Sequence, residues 1–219
     1  MTMRVLFRDE FEGFARSKAM LALWLGLPVV VILLRLIRPD TEEIPLFLFS
    51  GIMISTIGGT LSAVILSTAV TTDRRNHVYD LFLVRPVRRG TLILAKYFAT
   101  LTVIVIAALV ALATGIVADL IAGYPTGTLF QAGLEPLLLS FSGIAIACAV
   151  GVLLGTLIDS VTASAIIAVY LGNQLSAAAL LPSFFLPNTN STLLAIGVGV
   201  VIPALILLIT VRVFARKTL

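Results

Sequence analysis

The sequence predicts an all-α integral membrane protein, a bundle of six transmembrane helices, and three observations lead there. With 59% hydrophobic and 12% charged residues and a mean hydropathy of +1.13, the chain exceeds the roughly 45–50% apolar share of a soluble domain. Its 219 residues contain six apolar blocks of about 20 residues, the length that crosses a hydrocarbon core of about 30 Å. That leaves no room for a separate soluble domain, so residues 1–219 form a single transmembrane domain. The third observation is charge asymmetry. Arg4, Arg8, Arg16, Lys18, Arg74, Arg75, Arg85, Arg88, Arg89, Lys96, Arg212, Arg216 and Lys217 fall at one set of block ends, and only Arg35 and Arg38 at the other. Cytoplasmic loops carry the excess of Lys and Arg. The expectation is a multi-pass protein of a prokaryotic cell (plasma) membrane, with both termini cytoplasmic. The net charge of +4 reflects those loops, and no nucleic-acid partner is expected from it.

Residues 4–18 set Phe7, Phe11 and Phe14 on one helical face, with Arg8, Asp9, Glu12 and Arg16 elsewhere. That pattern predicts an interfacial helix lying among the lipid headgroups. Acids mixed with bases, and no small-residue cleavage site after the apolar run, argue against a signal peptide. Span one covers about 19–37 and contains Pro28, with Arg35 as a snorkelling anchor. After the acidic loop of Asp40, Glu42 and Glu43, Pro45 suits the first position of a helix, and span two covers about 46–71. Its serines, threonines and glycines read first as interhelical contacts that back-bond to their own helix. Ser55, Thr56 and Ser62 are also candidates for a substrate path.

Span three, about 91–118, ends at Asp119 before a turn-rich loop at Gly123–Gly127. Span four, about 136–157, is expected to open at Pro136. It carries Gly143, Ala147, Gly151 and Gly155 at a period of four, a ridge of small residues on which a second helix can pack closely. Asp159-Ser160 is a short cytoplasmic turn. Span five, about 162–181, holds Asn173 and Gln174, two amides that need partners at that depth and are the other substrate-path candidates. Span six, about 193–212, contains Pro203 and closes on Arg212, Arg216 and Lys217. The single cysteine, Cys148, lies in an apolar block, so no intramolecular disulfide or cysteine metal site is expected.

Residues 73–96 form the long polar interval between spans two and three. Val78, Leu81 and Phe82 fall at i, i+3 and i+4, with Asn76, His77 and Asp80 on the other side, which predicts a short amphipathic helix. It should end near Val84, because Pro86 pushes Arg85 out of the α region. Asp73-Arg74-Arg75 in front, then Asp80, the apolar run Leu81-Phe82-Leu83, Pro86 and Ala95-Lys96 together resemble the cytoplasmic segment after the second span in permeases of the ABC type-2 exporter superfamily. The likeness departs at His77-Val78-Tyr79, where Gly-Thr-Leu is usual. The span pattern fits along nearly the whole chain, and residues 4–18 resemble the family's connecting helix.

The resemblance implies a coupling segment at 73–89. Tyr79, Leu81 and Phe82 would supply an apolar plug for a groove of the ATPase. Arg74, Arg75, Asp80 and Arg85 would form a charged rim, with Asp73 in the charged lead of the same ATPase-coupling segment, and Pro86 would fix the exit angle. It implies as partners two copies of a separate ABC ATPase and a second permease, of the same or a different chain, in the lipid bilayer. This chain itself has no Gly-rich phosphate loop ending in Lys-Ser/Thr, so ATP and Mg would be bound by the ATPase and no cofactor by this chain. No histidine pair stands at metal-ligand spacing, and the carboxylates Asp119, Glu135 and Asp159 fall at span ends, so the chain is not expected to be an enzyme. The short haem-exporter permeases of cytochrome c maturation are similar in length and span layout, although no histidine or methionine pair marks the outer face. A membrane scaffold recruiting a soluble partner through 73–89 is the reading from another class.

Overall fold

The structure is a computed structural model and describes residues 3–37, 46–76, 89–121, 126–177 and 191–216. Among these residues there are seven helices and no strands: α1 (Met3–Ala15), α2 (Lys18–Ile37), α3 (Leu46–Arg75), α4 (Arg89–Ile121), α5 (Thr126–Leu157), α6 (Val161–Ala177) and α7 (Ser191–Arg216). By length and composition α2, α3, α4, α5 and α7 can cross a membrane. The expected span five falls on α6, a shorter apolar helix of 17 residues. The remainder of that span, 178–181, lies outside the described residues.

Two boundaries differ from expectation. α5 begins at Thr126 and runs through position 136, so Thr126 and Gly127 belong to a helix and not to the turn-rich loop. A proline removes one backbone donor, and a helix among other helices continues through that loss. At the other end of the chain α1 stops at Ala15. Arg16 N donates to Glu12 O at 3.2 Å and Ser17 N to Phe14 O at 3.0 Å. Met20 N then donates to Ser17 Oγ at 3.2 Å, so Ser17 caps α2 and the link between α1 and α2 is only Arg16-Ser17.

The apolar face of α1 has protein neighbours. Leu6 is buried, and Phe11 and Phe14 pack against the main core, because α1 lies chiefly on α4. Phe7 and Phe11 stack with their ring centroids 6.0 Å apart. Part of this face is thus covered by α4. On the exposed side Arg8 Nε donates to Glu12 Oε1 at 2.9 Å. That hydrogen bond first, and the Arg8 charge second, lower the Glu12 carboxyl pKa. The small stabilisation it brings is therefore present above the ordinary carboxylate range and is lost as pH falls through the lowered value.

The bundle is centred on α3 and α5, which pack against each other more extensively than any other pair. Hydrocarbon offers no hydrophobic force to press helices together, so close backbone approach and interhelical hydrogen bonds must hold them. A Cβ on Gly151 would fall 2.6 Å from Ala63 O and 2.9 Å from Ala63 Cα, and one on Gly155 would fall 2.7 Å from Val70 Cβ. Ser140 Oγ donates to Gly51 O at 2.7 Å, and Tyr97 OH in α4 to Ala145 O in α5 at 3.3 Å. α6 lies against α3 and α5 with Ser164, Ala168, Gly172 and Ser176 inward. α2 rests on α4 far more than on α3, and α7 chiefly on α5.

Candidate functional site

The last turns of α3 collect the charged chemistry of the described residues. Asp73 and Arg74 are consecutive, so their side chains leave the helix about 100° apart and reach opposite sides of the bundle. Asp73 Oδ2 accepts from Lys96 Nζ in α4 at 2.7 Å. The same ammonium donates to Glu10 Oε2 in α1 at 3.0 Å and stands 5.3 Å from the centroid of the Phe14 ring. Its side chain is only 6% exposed. Burial strips water from an ammonium, and two carboxylates and an aromatic face replace part of that hydration.

Arg74 points the other way. Its Nη1 donates to Gly155 O at 3.2 Å and to Thr156 O at 2.7 Å, and its Nη2 to Asp159 Oδ1 at 2.7 Å. The carbonyls at the end of α5 have no partner inside their own helix, and a cation there satisfies them and complements the helix dipole. One turn earlier Thr71 Oγ1 donates to Ser67 O at 2.8 Å and comes within 3.3 Å of Ser164 Oγ in α6. Ser160 accepts from Ala163 N at 3.4 Å and caps α6. α3 is thus fixed to α4 and α1 on one side, and to α5 and α6 on the other, immediately before residues 77–88.

Of the coupling residues read from the sequence, Asp73 and Arg74 are engaged within the chain and Arg75 is exposed. Tyr79, Asp80, Leu81, Phe82, Arg85 and Pro86 lie outside the described residues, as does His77. Ser55 and Ser62 are buried, with Ser62 Oγ donating to Gly59 O at 2.7 Å, and Thr56 Oγ1 donates to Met53 O at 3.0 Å. The Ser62 and Thr56 hydroxyls each bond a carbonyl of their own helix. Asn173 and Gln174 are exposed on α6, on the side away from its buried Ser164–Ser176 stripe. Gly143, Gly151 and Gly155 face α3, and Ala147 is buried beside Gly59.

Sequence reasoning missed Glu10 and the role of Lys96. A signal existed, because Leu6, Glu10 and Phe14 are spaced by four and so lie along one stripe of α1. A carboxylate on an otherwise buried apolar stripe needs a cation.

The carbonyl and carboxylate bonds of Arg74 can be separated experimentally. Asp159 is largely exposed at 82%, and such an ion pair is worth about 0–1 kcal/mol, whereas hydrogen bonds from a charged group to buried acceptors are worth about 1.5–3 kcal/mol. Asp159→Asn is therefore expected to leave the thermal midpoint of the detergent-solubilised protein nearly unchanged, and Arg74→Met to lower it clearly. Equal shifts in the two variants would refute the capping assignment.

Comparison with known proteins gives this end of the bundle a context. A family model described as ABC-2 family transporter protein matches residues 6–176, well over half of the chain, from the first turn of α1 to the last turn of α6. The chain belongs to the ABC-2 transporter family. No curated protein matches it. Membership makes the chain a multi-pass permease component of an ABC transporter, the membrane part that works with an ABC ATPase and not itself the catalytic one. In this ABC-2 permease the candidate site lies at the two ends of the segment read from the sequence as the ATPase contact.

Proposed function

We propose that this permease exports its substrate, driven by two copies of a separate ATPase that bind ATP and Mg, and that residues 73–89 are the coupling segment. The supporting observation is the double attachment of α3. Asp73 and Arg74 hold its end to both sides of the bundle, so a pull on residues 77–88 is delivered to all the helices that meet there. The segment faces the cytoplasm, as the basic residues around it require, and both termini lie on that side of a prokaryotic plasma membrane. Tyr79, Leu81 and Phe82 fill a groove of the ATPase, with Arg75, Asp80 and Arg85 around them and Pro86 fixing the exit angle.

A second permease completes the path. α6 exposes Tyr170, Asn173 and Gln174, and Asn173 lies about 18 Å along the helix from Val161 at a rise of 1.5 Å per residue. Unsatisfied amides at that depth cost several kcal/mol each in hydrocarbon, so this face needs another protein surface or a hydrated path against it. A second copy of this chain across α6 supplies both, with Asn173 and Gln174 toward the substrate. Apolar walls with two amides suit lipids, hydrophobic drugs or peptides better than small ions.

The test uses Arg75→Glu and Phe82→Ala. Truncating an anchor at the centre of an interface costs at least about 2 kcal/mol, roughly a 30-fold loss of affinity. Both variants should therefore lose the ATPase on purification or hydrolyse ATP without transport. Full assembly and coupled transport in both would refute the assignment. Retention of the partner by the wild type with no transport of any kind would favour the scaffold reading instead.

A further inference from the structure

We propose that the cleft between α2 and α3 is a binding site for an anionic phospholipid, held by an acyl chain between the two helices and by its phosphate at Arg16 and Lys18. The lipid is a fixed part of the fold and not cargo, and the inference does not depend on the ATPase reading above. Two stripes make the cleft. Ala22, Gly26 and Val30 recur every four residues on α2, and Ile57, Leu61 and Ile65 do so on α3, so each set lies along one side of its helix. Between them is an apolar space of about 290 Å³. Gly26 leaves it open, because no neighbouring atom lies within 4 Å of the position a Cβ would take.

The dimensions are those of an acyl chain in one leaflet. From Ala22 to Val30 is about 12 Å along α2, against a half-thickness of about 15 Å for the hydrocarbon core. Ala22 stands one turn further into the membrane than Lys18, where α2 begins, so the cleft lies in a single leaflet. Its mouth faces the bilayer, with Ala22 exposed and Leu61 40% exposed. Water does not fill such a space, since a cavity without polar partners stays dry, and a void forfeits the dispersion contacts of the side chains around it. A lipid tail supplies those contacts, and with them the packing that α2 and α3 give each other only lightly.

Charge selects which lipid. Arg16 and Lys18 are exposed, and among the described residues neither takes part in an ion pair. The carboxylates nearby are already engaged, Glu12 with Arg8 and both Glu10 and Asp73 with Lys96. Asp9, the remaining carboxylate of α1, lies two helical turns back from Arg16. Side chains of a helix tilt toward its N-terminus. That tilt carries the Lys18 ammonium out of the hydrocarbon, to the level of the phosphate of a lipid whose tail is seated beside Ala22. A zwitterionic headgroup would bring a cation of its own against Arg16 and Lys18, whereas an anionic one leaves its phosphate charge for them.

The experiment puts a single tryptophan at the cleft of the purified permease in liposomes. Trp24 is the only tryptophan of the chain. Trp24→Phe with Leu61→Trp therefore reports the cleft, and Trp24→Phe with Val201→Trp reports the outer face of α7. Leu61 and Val201 are both exposed, so neither substitution disturbs the core. Quenching by brominated phosphatidylglycerol and by brominated phosphatidylcholine gives the relative affinity for the two lipids at each position. The Leu61→Trp reporter is expected to favour phosphatidylglycerol by about fivefold or more, the worth of one cation near an anionic lipid surface, and the Val201→Trp reporter to show no preference. Arg16→Gln with Lys18→Gln should abolish the preference at the cleft, and so should Gly26→Leu, which fills the space and keeps both cations. Arg212→Gln, which removes an exposed cation of α7, should leave it unchanged. Equal quenching by the two lipids at the cleft, the same preference at both reporters, or a preference that survives Arg16→Gln with Lys18→Gln or survives Gly26→Leu overturns the inference. Quenching by neither lipid at the cleft would mean that protein, such as a second copy of the chain, covers it, and overturns the inference as well.

Discussion

Gly151→Leu is expected to separate α3 from α5 and to lower the stability of the bundle by about 3 kcal/mol or more, the upper end of what overpacking a closed interface costs. The reason is what the new side chain would meet. A Cβ at Gly151 would fall 2.6 Å from Ala63 O, 2.9 Å from Ala63 Cα and 3.1 Å from Ala63 C, all backbone atoms that cannot rotate aside. The helices must therefore move apart. The gap opens at the most extensive contact in the bundle and takes with it the bond from Ser140 to Gly51 O and the approach of Arg74 to the carbonyls of Gly155 and Thr156. Gly26→Ala is the matched control, since nothing lies within 4 Å of its Cβ position. Alanine is a better helix former than glycine by about 1 kcal/mol, so this variant should be as stable as the parent or slightly more so. Thermal midpoints in detergent, followed by size exclusion, measure both. A Gly151→Leu protein that melts with the parent would show that α3 and α5 are not in backbone contact.

That ridge was legible in the sequence because it is a local pattern. Gly143, Ala147, Gly151 and Gly155 recur every four residues, and only a close helix neighbour gives small residues at that period a use in a membrane. The spans were legible for the same reason, since hydropathy over about 20 residues is a property of neighbours in sequence. Pro136 misled about the start of α5, because a proline marks a first helical turn or interrupts a longer helix with the same letter. The stripe of α1 showed that one face is apolar, but not whether lipid or protein covers it. The answer depends on α4, which begins 74 residues after α1 ends. Arg74 illustrates a harder limit. Its main acceptors are the carbonyls of Gly155 and Thr156, and backbone acceptors leave no signature in a sequence. The partners of Lys96 were half legible, through Glu10 on the stripe of Leu6 and Phe14. The residues that would grip the ATPase, Tyr79 to Pro86, lie outside the described ones, so for them the sequence pattern remains the source.

Lys96→Met is expected to cost on the order of 3 kcal/mol, the lower end for breaking a buried ion pair from one side. Methionine matches the lysine stem in length and keeps its packing, so the loss is electrostatic. Glu10 and Asp73 would remain as two carboxylates facing each other with their cation gone, and the attraction between the Lys96 ammonium and the Phe14 ring would vanish as well. The direction reverses when the whole group is neutralised. Replacing every member of a buried ionic cluster by uncharged residues of similar volume is often neutral or stabilising, whereas removing one member is not. Glu10→Gln, Asp73→Asn and Lys96→Met combined should therefore recover most of the melting temperature that Lys96→Met alone loses. A triple variant no more stable than Lys96→Met would mean that the three charges do not act as one cluster.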